Sequence, residues 1–247
     1  MGIEILPVYV KESPSHEAVM GAGWVSRTWE KEMVQQGKSE IAELIIAEKD
    51  FCPVLRDPKV IYGDREGELL KISQAEEFDF FVEGAHFAWT ASDLYKKLHT
   101  KFYQRIPFPA ILVRNLRKVN QVQLLCLDVN GTHVLTSLFQ KIWKNCSVPL
   151  LLNYRSEATG KTGNSELREA VEQARGILTG SGCKVSVQEI TSPRTEIGSA
   201  EVLKDSSLVA IAVERGFKKD SSELQWLSEV TTSSLLAFHW AGNEVLI

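Results

Sequence analysis

One order of elements occurs twice along this chain, and that echo constrains the fold more than any single motif. The order is a strand, a polar turn, a helix and a closing strand. The first copy runs over residues 77–85, continues as a helical stretch over 92–105, and closes with the apolar segment 109–113. The second runs over 206–216, continues helically over 220–230, and closes with 234–240. Each apolar run is short and filled on both faces, as a parallel strand covered by helices should be. A repeat on this scale predicts a duplicated α/β domain.

The second half carries the fuller unit. Residues 122–127 read as a buried strand that ends at Asp128-Val129-Asn130-Gly131-Thr132. A helix over about 133–145 follows, with Leu135, Leu138, Phe139 and Ile142 on one face. The strand over 147–152 has Pro149 near its start, where a missing donor is tolerated. After a loop at 160–164, Asn164 or Ser165 caps a helix reaching about Leu178, and Gly180-Ser181-Gly182 ends it. Residues 184–190 alternate like a strand, and a short helix over about 196–203 leads into the echo.

The first half tracks this order with one omission. Residues 3–10 match the second strand of the other half, proline included; a long helix over about 25–47 follows, and 59–62 form the third strand. Lys59 against Lys184 gives an offset of 125, Phe78 against Leu208 gives 130, and Pro109 against Ser234 gives 125. Nothing in the first half corresponds to 122–145, so either the opening strand and helix were lost or the chain is a fragment of a longer one. Residues 115–120 read as a linker between a first domain, 1–116, and a second, 120–247. Two parallel sheets, each covered by helices on both faces, are the expected architecture.

Composition narrows the function classes. A length of 247 residues suits two ordinary domains, and a net charge of −4 argues against nucleic acid as a partner. No run approaches the roughly 18 apolar residues of a membrane span, and Met1-Gly2-Ile3-Glu4 opens on a strand-like segment, so a cytoplasmic chain without direct membrane insertion is expected. Cys52, Cys126, Cys146 and Cys183 show no C-x-x-C spacing, which favours reduced thiols over disulfides or a metal.

The order of elements, the Asp128–Thr132 turn after a buried strand, and the apolar closing strand after an amphipathic helix resemble the universal stress protein family. The resemblance covers nearly the whole chain as a tandem pair whose first copy lacks its opening unit. It implies two three-layer α/β/α domains with mainly parallel sheets, of the adenine nucleotide α-hydrolase-like type, and AMP or ATP as the ligand class. Family members that bind ATP carry G-x2-G-x9-G-S/T after the fourth strand, because glycines let backbone amides approach phosphate at a helix start. Here the matching stretches begin at Gly84 and Gly216, while Phe87 and Lys219 stand where the second glycine belongs. No later Gly-Ser or Gly-Thr follows in either helix, so the usual phosphate cradle is absent.

What the resemblance leaves is a vestigial nucleotide site. Asp128, Asn130, Gly131 and Thr132 match the first-strand turn, where relatives place an aspartate near adenine or ribose; the plain alternative is a tight exit from strand to helix. His86, just past a strand end, is the one histidine where ligands bind in open α/β sheets. Lys219, beside Lys218 at a helix start, offers charge to an anion. Gly160-Lys161-Thr162 imitates the end of a phosphate loop, but Arg155 stands where that motif needs glycine. The five histidines lack metal-ligand spacing, and no G-x-S-x-G elbow is present. Nothing in the sequence calls for catalysis.

Contacts with protein remain as the functional surface. Trp24 and Trp29, with Val25, Met33 and Val34, put apolar groups on the first long helix, as core or as a face for a partner. Members of the family often dimerise through their last strands. In a tandem chain, 109–113 and 234–240 can pair with each other as an internal pseudo-dimer, with Arg114 and Trp240 near the junction. The expectation is a non-enzymatic tandem regulator acting through a protein partner or self-association, a homodimer included. Two other readings stay open: the cytosolic regulatory domain of a cation/proton antiporter, and an adenine-nucleotide enzyme of the related hydrolase-like group.

Overall fold

The computed structural model describes residues 4–11, 23–49, 55–114, 118–155, 163–190, 207–215, 227 and 234–240. The chain forms two compact units, Met1–Glu77 and Phe78–Ile247. The division at 116–120 drawn from the repeat marks element order; the compact units part earlier, after Glu77. The short helices expected over 196–203 and 220–230, apart from helical Leu227, lie outside the described residues, as do Gly160-Lys161-Thr162, Cys52 and the side chains of Trp24, Trp29 and Trp240.

In the first unit, β1 (Val8–Lys11) pairs in parallel with β2 (Lys59–Tyr62), and α1 (Gly23–Lys49) connects them. α1 lies close to the strands at Gly37, where a Cβ would meet Val60 Cγ1 at 3.0 Å. A second helix, α2 (Arg65–Ala75), was not anticipated, although its start signal is plain. The Asp64 carboxylate accepts from the Gly67 amide at 2.7 Å, and Glu66 and Glu68 favour the positive end of the helix dipole. Glu76 holds Arg56 and Lys59, and Lys59 first, then Arg56, keeps its carboxyl below the ordinary range.

The second unit is built on one seven-stranded sheet. Its strands are β3 (Phe81–Gly84), β4 (Ala110–Val113), β5 (Gln121–Cys126), β6 (Leu150–Arg155), β7 (Val185–Ile190), β8 (Ser207–Glu214) and β9 (Ser234–Trp240), in the spatial order β3-β4-β9-β8-β5-β6-β7. α5 (Val129–Ile142) and α6 (Gly163–Gly180) cover one face, burying Val134, Leu135, Phe139, Val171 and Leu178 against Val122, Leu124, Leu150, Leu152 and Ala210. The opposite face of β3 and β4 meets α3 (Ala91–Leu98) and α4 (Lys101–Arg105), where Phe81 packs edge-on against Phe102 at 4.6 Å. The single helix expected over 92–105 is thus two, interrupted at His99-Thr100.

Mainly parallel sheets were expected, and the described strands form two: this sheet, parallel but for one antiparallel junction, and the β1-β2 pair. The junction is between β4 and β9, the two closing strands. Ile111 lies opposite Leu236, Ala110 opposite Ala237, and Leu112 opposite Leu235. The 125-residue offset makes Ile111 and Leu236 equivalent and exchanges the flanking pairs, because 110 corresponds to 235 and 112 to 237. That is the register a local two-fold axis beside this pair requires.

The same ladders revise the match between β3 and β8. Phe81 pairs with Ala110 and Val209 with Leu235, so Phe81 corresponds to Val209, an offset of 128 rather than 130. Gly84 is therefore level with Ala212, not with Gly216. A slip of two residues keeps every side chain on its own face, so the apolar pattern alone does not detect it.

β3 and β8 differ in their surroundings. In the second half, β5 pairs with β8 and α5 packs over β8, leaving Ala212 and Val213 buried. β3 is instead the outermost of the described strands in its sheet, and Val82 is 58% exposed.

Candidate functional site

The exit of β5 gathers four of the residues singled out by sequence. Asp128 is the N-cap of α5: its carboxylate accepts from the Gly131 amide at 2.7 Å, and the Thr132 hydroxyl donates to the Asp128 carbonyl at 2.6 Å. The helix therefore begins at Val129, four residues before the expected start, with Asn130, Gly131 and Thr132 in its first turn. A Cβ on Gly131 would come within 3.0 Å of Asp128 Oδ2. The space that glycine leaves is filled by the chain's own carboxylate.

Below this turn the thiol of Cys126 is sealed in the core. Burial pushes it up to about 12, an effect that the Asp128 charge reinforces and the Thr132 hydrogen bond opposes. It is a packing residue and not a nucleophile. Deeper in the sheet, Asn153 Nδ2 donates to Gln123 Oε1 at 2.9 Å, and both side chains are fully enclosed.

The exit of β3 is built differently. A Cβ on Gly84 would lie 3.2 Å from His86 Nε2, so the imidazole folds back over the end of the strand. Phe87 stacks on Trp89 at 5.5 Å, and the Arg114 guanidinium lies 5.2 Å over the Trp89 ring. Thr90 caps α3, accepting from the Asp93 amide at 3.2 Å while donating to the Asp93 carboxylate at 2.7 Å. A negative side chain thus occupies the helix start where a phosphate would be held.

The two exits are not one site. β3 runs opposite to β5 because the β4-β9 junction is antiparallel, and four strand spacings, ~19 Å, separate them. Asp128 and His86 therefore stand at opposite ends of the strands, four strands apart. Gly216 and Lys219 lie outside the described residues.

Sequence reading missed a charged cluster on β3. Glu83 is 8% exposed, takes Lys97 Nζ at 2.6 Å, and accepts from the Tyr103 hydroxyl, while Lys97 lies 5.2 Å over the Tyr103 ring. The one signal was an acid following Phe80-Phe81-Val82 in a strand. His239, on β9, sits 6.5 Å from the Tyr103 ring and is nearly fully buried. Burial first, then the charges of His99 and Arg215, hold it down at about 4, so it is neutral at pH 7. At the far edge of the sheet, Tyr154 donates to Glu189 at 2.9 Å, and burial, then Glu189, raises its phenol above the ordinary range.

Carboxylates occupy the starts of α3 and α5, and the clearances at Gly84 and Gly131 are taken by His86 and Asp128. Among the described residues no three His, Cys, Asp or Glu side chains gather as a metal site, and no helix is long and apolar enough to cross a membrane.

No protein-family model matches the sequence, and no curated protein is similar to it. Solved structures are similar in fold. A universal stress protein from Archaeoglobus fulgidus shares 16% identity, with 98% of this chain and 88% of that one covered at a TM-score of 0.59. A protein from Pseudomonas aeruginosa assigned to the universal stress proteins shares 12% identity over 94% of this chain and 92% of that one, at a TM-score of 0.54. A functionally unknown protein from the same species gives 12% identity, 95% and 92% coverage, and a TM-score of 0.52. This chain has the fold of the universal stress proteins.

Proposed function

We propose that the chain is a non-enzymatic, tandem universal stress protein-like regulator, acting in the cytoplasm through protein contacts, with vestigial nucleotide sites. The observation that carries this reading is the placement of Asp93. It puts a carboxylate at the start of α3, the helix after the Gly84 stretch that a nucleotide phosphate would need, and like charges there repel. The tandem reading is supported by the β4-β9 register, in which equivalent closing strands meet as in a two-fold dimer. A role through contacts is supported by β3, the outermost of the described strands in its sheet, with Val82 exposed.

Isothermal titration calorimetry of the full chain with ATP, ADP and AMP, with and without magnesium, is the direct test. The expected outcome is no saturable heat from ATP or ADP at submillimolar concentration. Tight magnesium-dependent ATP binding would falsify the reading.

A further inference from the structure

Two helix ends meet beside β6 and β7. α5 ends at Ile142 with Trp143 as its C-cap, and Asn145 follows at φ 59°. α6 ends at Gly180, and Gly182 follows at φ 85°. Both residues turn the chain through the left-handed region, which Asn tolerates and Gly enters freely. The turns touch: a Cβ on Gly182 would sit 2.6 Å from Asn145 Oδ1 and 3.9 Å from Asn145 Cα.

The next residue after each turn is a cysteine. Cys146 and Cys183 are both free thiols, and both lean on one carbonyl. The Cys146 amide donates to the Trp143 oxygen at 3.0 Å, and the Cys183 thiol donates to the same oxygen at 3.4 Å. Beyond them the two segments become neighbouring strands, with Leu150 opposite Val185. Cys146 is half-buried and Cys183 is buried, so Cys146 is the more accessible of the two. Burial raises the Cys183 thiol, and the nearby Cys146 raises it further.

The geometry points to a reversible disulfide between Cys146 and Cys183, formed by a hydroperoxide. The Cys146 sulfur attacks the peroxide, the O–O bond breaks, and a sulfenic acid and one water result. The Cys183 thiol then attacks that sulfur, the S–S bond forms, the S–O bond breaks, and a second water leaves. Two thiols are oxidised by two electrons and one hydrogen peroxide is reduced. The bond ties the end of α5 to the entry of β7. Helix C-termini disfavour a nearby thiolate, so the reaction is slow, a structural lock more than a rapid sensor.

The test uses the full chain, reduced, exposed to hydrogen peroxide in its folded state, alkylated, and digested without reductant for mass spectrometry. A peptide pair linked through Cys146 and Cys183 is expected, with loss of two free thiols that dithiothreitol restores. Thermal unfolding of the oxidised chain should rise by about 5–10 °C, and Cys146→Ser should abolish both effects. Cys183→Ala is the partner variant, since a serine hydroxyl would be buried there. The linked peptide from the unsubstituted chain needs no variant to fold. Four unlinked thiols, a Cys146 sulfinic acid without a link, or a bond from Cys146 to Cys52 or Cys126 overturns the proposal.

Discussion

Ile111 on β4 faces Leu236 on β9 across the one antiparallel junction among the described strands, and the two residues are equivalent under the 125-residue repeat. Leu236 is 1% exposed and belongs to the core beneath α5 and α6, with Ile111 packed against it. Leu236→Ala should therefore cost about 3 kcal/mol in urea unfolding, and Ile111→Ala less, about 1–2 kcal/mol, because its site is half-buried. The double variant should show a coupling of about 0.5–1 kcal/mol. Strict additivity would mean that the facing pair is not in contact.

His239 should make the fold sensitive to mild acid. Its folded value is depressed, to about 4, so below its ordinary value of 6.5 the unfolded chain binds a proton that the folded chain refuses. Stability is then fully present above pH 6.5 and falls as the pH drops towards 4, by up to about 3 kcal/mol. Urea midpoints between pH 7.5 and 4.5 should decline less steeply in His239→Gln than in the unsubstituted chain. Parallel slopes would show that His239 is not the titrating group.

The Glu83–Lys97 pair should be costlier to break than to replace. Lys97→Met leaves the buried Glu83 carboxylate without its cation and should destabilise by about 2–4 kcal/mol. Glu83→Leu combined with Lys97→Met should recover at least half of that loss, because no uncompensated charge stays inside. Equal costs for single and double variants would place the pair on a hydrated surface.

Asp128 separates capping from nucleotide binding. Asp128→Ala should cost about 1 kcal/mol through the lost N-cap, while Asp128→Asn, an equally good cap, should be within about 0.5 kcal/mol of the unsubstituted chain. Thermal unfolding with and without AMP measures both roles. A change in AMP stabilisation in Asp128→Asn, at unchanged intrinsic stability, would point to a ligand contact.

Much of this molecule can be read from local pattern. Strands at Lys59–Tyr62 and Ser234–Trp240 stand where alternation and apolar runs put them, and α1 and α6 fill their expected windows. The polar turn at Asp128 was legible too, although the helix starts inside it. α2 was missed despite its Asp64 cap, because its apolar residues are few and only Leu69 and Ser73 are buried.

Sequence alone determined the order of elements and their type, since each is a property of residues adjacent along the chain. Only the tertiary structure decided that Gly84 is level with Ala212, that Glu83 meets Lys97, and that the Cys146 amide and the Cys183 thiol share a carbonyl. Side-chain alternation reports a face and not a partner, and a strand sliding by two residues looks unchanged from within. Which strands meet, and in what register, is settled by burial across distant segments, where no local pattern reaches.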